Sequence, residues 1–180
     1  MNDAAAYGLA KPLLLGSCSE AELHYLLTVS RLESGHGGAW KEGKGKGSNN
    51  MGAIQVTPTM VAAGVPFFET VDTHEDGKPY VGRFRVYASP HAGFIDLARV
   101  LLRPNVRAAI AAGDGNAAVA AQRSNGYFEA PLARYQQAMA DHYARFLAGT
   151  GLQPELRFSS TGNGGAGLLL LAAAIALGFS

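Results

Sequence analysis

The stretch SEAELHYLLTVSRLESGHG, residues 19–37, has the pattern of a buried helix followed by a glycine-rich break. Ser19 and Glu22 form an S-x-x-E capping box, so the helix is predicted to begin there. Apolar side chains then recur at helical spacing and supply a core-facing side: Leu23, Leu26, Leu27, Val29 and Leu32. The glycines from Gly35 onward end the pattern, so we predict a helix over residues 19–33.

Glu33 lies in the last turn of this predicted helix, where the helix dipole favours cations over carboxylates. A residue that breaks a local rule without visible compensation is a candidate for function. A carboxyl group that is partly desolvated beside an open cleft would have a raised pKa, as a general acid needs. The other interpretation, a charge at a frayed helix end in water, is the one that spacing alone favours.

The rest of the chain predicts a mainly helical α+β domain with one small β-hairpin. Two β-rich runs flank residues 75–78, Glu-Asp-Gly-Lys, and Asp-Gly is a strong hairpin signal. A short helix or turn is expected within residues 57–65. Ser89 and Pro90 have the residue types that begin a helix. Three more helices are predicted over residues 105–112, 116–122 and 131–147.

Composition excludes several classes of protein. The 180 residues include 15 Lys plus Arg against 14 Asp plus Glu, so we expect no nucleic-acid partner. Cys18 is the only cysteine, which leaves no intramolecular disulfide framework. The five histidines have no metal-ligand spacing, so no metal and no other cofactor is predicted.

Four short motifs resemble, in the same order, those of the glucosaminidase domains of glycoside hydrolase family 73, within the lysozyme-like superfamily. They are Leu32-Glu33-Ser34-Gly35-His36-Gly37, Asn49-Asn50-Met51-Gly52-Ala53-Ile54-Gln55, Phe84-Arg85-Val86-Tyr87-Ala88-Ser89 before a helix with Asp96, and Ser124-Asn125-Gly126-Tyr127 followed by Tyr135. The resemblance covers about residues 20–146. It implies a lysozyme-like fold with a small β-hairpin lobe beside a catalytic groove.

The resemblance also implies a function. Family members are peptidoglycan hydrolases that cleave the β-1,4 bond between N-acetylglucosamine and N-acetylmuramic acid, so the expected partner is the glycan strand of peptidoglycan. Glu33 is implied as the general acid, and Tyr127 as the tyrosine that lines the groove. After Tyr127 the chain departs from the family pattern, because residues 128–131 read Phe-Glu-Ala-Pro in place of A-T-D-P.

The second catalytic carboxylate is expected on the hairpin, which supplies it in the family. Glu75 is the first choice and Asp72 the second, ahead of Glu69 and Asp76. For any one of these acids, a solvated hairpin charge is about as good an interpretation. Alternatively, the 2-acetamido group of the substrate itself attacks the anomeric carbon.

Candidate substrate-binding residues are chosen by side-chain type. The Ser34 hydroxyl suits a hydrogen bond to Glu33 or to a sugar, and the amides of Asn50 and Gln55 suit acetamido and hydroxyl groups. Trp40 offers a ring that stacks on a sugar, and Tyr135 belongs to the last motif. Their alternative roles are, in general, helix-end polar residues, turn formers or core residues.

Two other functions stay open. A lytic transglycosylase or muramidase of the same superfamily shares the helix-end motif but cleaves the other β-1,4 bond; the Phe84–Ser89 and Gly126-Tyr127 elements favour the glucosaminidase. A catalytically silent cell-wall-binding or assembly protein would also keep the fold. The retained Glu33 argues against that class.

The expected organisation is an N-terminal extension (1–18), a catalytic domain (19–148), a Gly/Ser-rich linker (149–165) and an apolar tail (166–180). The N-terminus is a poor secretory signal, because Asp3, Lys11 and Pro12 interrupt the required pattern. Activity at the cell wall or in the periplasm would then require another route, as for a phage lysin, a virion component or a secretion-system accessory.

The tail AGLLLLAAAIALGFS, residues 166–180, is uncharged and apolar on all sides. A helix of that kind is either fully buried or in lipid. It is shorter than the roughly 20 residues that usually span a membrane. We therefore expect it to dock on a membrane surface or insert partway, the alternative being a terminal helix packed on protein.

Overall fold

The computed structural model describes residues 1–37, 45–73 and 78–159. Within these ranges seven helices and a two-stranded sheet follow one another along the chain. They are α1 (Asp3–Leu14), α2 (Glu20–Ser34), α3 (Pro58–Ala62), β1 (Phe67–Thr73), β2 (Pro79–Arg85), α4 (Pro90–Leu101), α5 (Pro104–Ala111), α6 (Gly115–Ser124) and α7 (Leu132–Thr150). The predicted α+β, mainly helical class is confirmed.

Helix α2 forms the centre of the helical body. Ser19 and Glu22 make the predicted capping box, in which each side chain accepts a hydrogen bond from the other residue's backbone N–H. Residues 22–30 are all buried, because α1, α4, α5 and α7 pack around this helix. The helix ends at Gly35, which adopts the left-handed conformation with φ 53°. The prediction is confirmed to within one residue at each end.

The remaining predicted helices are also present. Ser89 caps α4 by accepting a hydrogen bond from the backbone of Ala92, and Pro90 opens the helix as predicted. Helices α5 and α6 match their predicted ranges closely. Helix α7 runs three residues beyond its predicted end at 147 and stops at the left-handed Gly151. Phe146, near the end of the predicted range, is fully buried and packs this part of α7 on the domain.

The two predicted strands pair antiparallel and form the hairpin lobe. Phe68 lies opposite Phe84 in the register, and the two rings stack with centroids 5.6 Å apart. This stacked pair anchors the base of the hairpin, since both side chains are buried. On the other face Val71 pairs with Val81, and both are well exposed. Residues 74–77, which include the predicted turn, lie outside the described residues.

The predicted N-terminal extension contains α1, a helix that the sequence analysis did not anticipate. Asn2 caps it by accepting a hydrogen bond from the backbone of Ala5. Ala6, Ala10 and Leu14 are buried where α1 meets α2, α4 and α7. Packing of this apolar face, rather than intrinsic propensity, accounts for a helix that contains a glycine and a proline.

The first part of the predicted linker is packed as well. The phenol oxygen of Tyr143 accepts hydrogen bonds from the backbone N–H groups of Glu155 and Leu156, at 2.7 and 3.0 Å. Leu156 is buried, and the ring of Phe158 lies against Gly115 so closely that a Cβ there would be 2.6 Å from it. The packed body therefore continues beyond residue 148.

The predicted apolar tail, residues 166–180, lies outside the described residues. Of the helices in the described part of the chain, none has both the length and the apolar character needed to cross a bilayer. The membrane-docking role of the tail stays a prediction.

Candidate active site

Glu33 occupies the last turn of α2, where it is partly buried. The backbone N–H of Gly35 closes the helix on the carbonyl of Arg31 at 3.0 Å. Gly35 adopts the left-handed conformation that commonly ends a helix, so the chain leaves the helix axis directly after Ser34. The position that the sequence singled out is therefore a real helix terminus.

Tyr135 of α7 donates a hydrogen bond from its phenol to Glu33 Oε1. The tyrosine side chain is buried. Burial and, next, the negative charge of Glu33 raise the pKa of the Tyr135 phenol well above its ordinary value. The phenol thus keeps its proton and remains a donor. The sequence assigned Tyr135 to substrate binding, whereas the structure places it on the candidate acid.

Phe128 stacks on the ring of Tyr135, with centroids 3.7 Å apart and planes 6° from parallel. It is the first residue at which the chain departs from the family pattern after Tyr127. The departure therefore supplies an aromatic cover for the phenol that contacts Glu33. The residues around Phe128 in the sequence do not indicate which ring it contacts, so its role could not be predicted.

Tyr127 joins two of the predicted motifs, since its phenol donates a hydrogen bond to the carbonyl of Gly52 at 2.7 Å. A Cβ at position 52 would lie 2.8 Å from that phenol oxygen and 2.3 Å from Leu97 Cδ1, so only glycine fits. Burial and then the charge of Glu33 raise the pKa of Tyr127 well above its ordinary value. Tyr127 is thus a neutral phenol near Glu33; its contact with substrate stays a prediction.

Ser34, a predicted substrate-binding residue, forms its hydrogen bonds within the protein, and its contact with a sugar stays a prediction. Its side chain is only 1% exposed. The hydroxyl lies 2.8 Å from the carbonyl of Met51, to which it donates, and it accepts a hydrogen bond from the backbone of Gly37 at 2.9 Å. A buried hydroxyl must be satisfied within the protein. Ser34 therefore fastens the end of α2 to the second motif.

Asn50 also forms hydrogen bonds within the protein, and its predicted contact with substrate stays a prediction. It is fully buried. Its Nδ2 donates to the carbonyls of Ile54 and Arg85, at 2.8 and 3.1 Å, and its Oδ1 accepts from the backbone of Ile54 at 2.9 Å. The amide closes the loop of residues 50–54 and holds it against the end of β2.

Gln55 is exposed and remains a candidate for substrate binding. Its Nε2 donates to the phenol oxygen of Tyr80 at 2.9 Å. Both residues line a surface cavity of about 280 Å³ at the base of the hairpin, beside Val81 and Arg83. The pair gives the hairpin lobe a polar, accessible edge.

The hairpin acids are only partly described. Glu69 forms an ion pair with Arg83 across the strands at 3.0 Å, which accounts for its charge. The register pairs the Cα of Asp72 with that of Tyr80. The Asp72 side chain and the whole of three other residues lie outside the described part of the chain: Trp40, Glu75 and Asp76.

The third motif fixes β2 to α4 through an ionic network. Arg85 forms an ion pair with Asp96, and the phenol of Tyr87 donates to the same carboxylate oxygen at 2.7 Å. Burial and then this hydrogen bond raise the pKa of Tyr87 above its ordinary value. The family-like arginine, tyrosine and aspartate thus have a common structural purpose, which is to hold the hairpin lobe on the helical body.

A second ionic cluster, which the sequence analysis missed, lies at the end of α2. Asp3 of α1 forms an ion pair with Arg31 and lies with its Oδ1 2.9 Å from His36 Nε2. Burial acts to raise the pKa of Asp3, but the hydrogen bonds from Arg31 and His36 outweigh it and lower that pKa. Arg31 and His36 therefore keep Asp3, in the first turn of α1, in its charged carboxylate form.

No family model matches the chain, and no curated protein does. Several solved structures resemble it, including three from Sphingomonas sp. A1 and Salmonella typhimurium. The peptidoglycan hydrolase from Sphingomonas sp. A1 has a TM-score of 0.56 and 24% identity, over 92% of this chain and 99% of that one. A mutant of a peptidoglycan hydrolase from the same source has 0.54 and 26%, over 84% and 97%. The glycoside hydrolase domain of FlgJ from Salmonella typhimurium has 0.54 and 24%, over 82% and 90%.

These structural similarities support the fold that the sequence motifs predict. Each structure combines a similar architecture with coverage of nearly its whole length. The chain therefore has the lysozyme-like α+β fold of these peptidoglycan and glycoside hydrolase domains, as its sequence motifs predict.

Proposed function

We propose that this chain is a peptidoglycan hydrolase in which Glu33 is the general acid. The observation that carries the proposal is the hydrogen bond from the buried Tyr135 phenol to the partly buried Glu33 carboxyl in the last turn of α2. A positioned carboxylic acid is the minimum equipment for glycosidic bond cleavage. The substrate class is supported by the solved peptidoglycan hydrolases of the same fold.

Glu33 acts twice in this scheme. It first donates its proton to the glycosidic oxygen as the bond from that oxygen to the anomeric carbon breaks. It then accepts a proton from the water that attacks the anomeric carbon. Because a phenol donates to Oε1 without taking a charge itself, Tyr135 keeps the carboxyl in one orientation during both steps.

The group that stabilises the anomeric carbon comes from the hairpin or from the substrate. Glu75 is our first candidate and Asp72 the second; the alternative is the 2-acetamido group of the sugar. Substituting Glu75→Gln, Asp72→Asn and Asp76→Asn separates these possibilities. We expect Glu75→Gln to lower the rate more than Asp76→Asn does. If none of the three variants is impaired, the acetamido group is the nucleophile.

The bond cleaved is the one between N-acetylglucosamine and N-acetylmuramic acid, with N-acetylglucosamine left at the new reducing end. The Phe84–Ser89 and Gly126-Tyr127 elements support this choice over a muramidase or lytic transglycosylase. Purified peptidoglycan is digested, the products are reduced with borohydride, and their ends are identified by mass spectrometry. Reduced N-acetylglucosamine ends support the proposal, whereas reduced N-acetylmuramic acid or 1,6-anhydro ends refute the bond assignment.

The tail of residues 166–180 is proposed as a membrane-docking segment, supported by its apolar composition alone. Co-sedimentation with lipid vesicles tests it, with a chain ending at residue 161 as the control. We expect only the full chain to sediment, and both to digest soluble muropeptides equally. A full chain that stays in the supernatant without detergent refutes this role.

A further inference from the structure

Asp3 contacts both of the helices that carry the candidate catalytic pair. It lies in the first turn of α1, outside the region that resembles the glucosaminidase family. Although it is an acid, it is 8% exposed. Charged side chains are almost never so buried unless they are paired. The partners of Asp3 therefore identify the parts of the fold to which α1 is attached.

At the end of α2, Asp3 contacts residues that flank Glu33 in the sequence. Its carboxylate pairs with Arg31, two residues before Glu33, and with His36, three residues after it. His36 has φ 54°, a left-handed backbone conformation. Residues other than glycine adopt it rarely, and surrounding contacts are needed to maintain it. Its Nδ1 lies 3.2 Å from Ser30 Oγ, so both ring nitrogens are engaged. The end of α2 that carries Glu33 is thus bound to α1 through one residue before Glu33 and one residue after it.

On α7, the same carboxylate lies against the backbone of Gly149. A Cβ at that position would be 2.5 Å from Asp3 Oδ2, so only a residue without a side chain admits the contact. Helix α7 also carries Tyr135, the donor to Glu33, in its first turn, whereas Gly149 lies in its last turn. Asp3 therefore lies where the end of α2 and the last turns of α7 come together.

We propose that Asp3 is a positioning residue for glycan cleavage, and that α1 is part of the catalytic unit rather than an appendage. By clamping the end of α2 beside α7, Asp3 keeps the Glu33 carboxyl in register with the Tyr135 phenol. The inference rests on the proposed role of Glu33. Asp3 itself does not touch Glu33; it acts through Arg31 and His36.

The test compares Asp3→Asn with Glu22→Gln. Glu22 is a matched control, because it is a buried acid of α2 that pairs with Arg107 at 2.7 Å, but at the opposite end of the helix. Both substitutions remove one buried charge, so we expect similar losses in melting temperature. Displacement of a catalytic group by a distant change costs up to about 100-fold in rate, so Asp3→Asn should lower kcat at least ~10-fold with KM nearly unchanged. Glu22→Gln should leave kcat within about twofold of the unaltered chain.

Kinetics are measured on soluble muropeptide oligomers at a temperature where melting curves show both variants folded. Equal kcat values for Asp3→Asn and Glu22→Gln overturn the positioning role. If Asp3→Asn does not fold, His36→Asn replaces it, because asparagine tolerates the left-handed conformation yet is too short to reach Asp3. The same loss of kcat is then expected, and an unchanged kcat overturns the inference.

The unaltered chain and Glu33→Gln are assayed beside these variants. An unaltered chain without activity refutes the proposed function, and the positioning role falls with it. Activity in the unaltered chain and none in Glu33→Gln, combined with an unimpaired Asp3→Asn, refutes the positioning role alone.

Discussion

The phenol of Tyr135 donates a hydrogen bond to Glu33, although the two residues are 102 positions apart in the chain. The bond joins the last helix of the fold to the end of α2. It also connects the fourth sequence motif to the first, which explains why both occur in one chain.

Glu33→Gln should abolish digestion of peptidoglycan. Glutamine keeps the shape of the side chain but has no proton to transfer, and general acid catalysis contributes on the order of 10²-fold or more in rate. Loss of turbidity in a peptidoglycan suspension measures the effect, and circular dichroism melting confirms that the variant is folded. A variant that clears the suspension at the normal rate would show that the chain is not an enzyme of this type.

Tyr135→Phe should lower kcat while leaving the fold intact. Phenylalanine preserves the stack on Phe128 but cannot donate to Glu33. A hydrogen bond to a charged group contributes about 1.5–3 kcal/mol, so we expect a rate loss of roughly 10-fold or more. Tyr127→Phe is the matched control, because its lost bond goes to the Gly52 carbonyl. Both losses should be smaller than that of Glu33→Gln, and a larger effect at Tyr127 would contradict the assignment of the orienting residue.

Gly52→Ala should destabilise the domain and impair activity together. The added methyl group would collide with Leu97 and with the Tyr127 phenol. Overpacking of this kind costs about 1–3 kcal/mol. Urea unfolding gives the free energy change. Gly8→Ala is the control, because a Cβ there has nothing within 4 Å and alanine favours the helix. Equal stability of the two variants would argue against the tight contact at position 52.

The stability of the fold should fall in mild acid because of His24. This residue is 1% exposed among aromatic rings. Within the described residues neither of its ring nitrogens has a hydrogen-bond partner, and Glu20 Oε1 lies 3.7 Å from Nε2. Burial lowers its pKa below the ordinary 6.5, although Glu20 acts in the opposite direction. The unfolded chain therefore binds a proton that the folded chain does not, so stability is complete above pH 6.5 and declines as the pH falls below it.

Replacing His24 with phenylalanine checks this sign. The variant should lose part of the decrease in melting temperature between about pH 7 and about pH 5, because the uncharged ring no longer takes up a proton. His36 and His142, whose pKa values burial also lowers, would account for the part that remains. An unchanged pH profile would show that His24 does not contribute.

Local patterns predicted the helices well because their signals lie within a few residues. The capping box at Ser19 and the Ser89-Pro90 pair each determine a helix start through contacts three positions apart. The strand pairing followed in the same way from two β-rich runs around a turn signal. Helix α1 was missed because its stability comes from packing against α2, α4 and α7, which no local pattern reports.

The site was harder to predict than the fold. Glu33 could be found because it violates a rule about helix ends. A serine or an asparagine can either bind a sugar or form hydrogen bonds inside the protein, and the sequence does not distinguish these roles. The burial of Ser34 and Asn50 is visible only in the structure. The contacts of Asp3 with Arg31 and His36 include an ion pair between residues 28 positions apart. No local sequence pattern predicts a contact over that separation.

The double hydrogen bond to Tyr143 also determines where the chain can be shortened. A chain that stops at Ala148 loses Leu156 from the core and leaves the Tyr143 phenol without its two backbone partners. Ser159, by contrast, still receives hydrogen bonds from Asn116 Nδ2 at its carbonyl and its hydroxyl. For crystallisation or for fusion to another protein, a fragment that keeps these contacts therefore runs from Asn2, which caps α1, through Ser159.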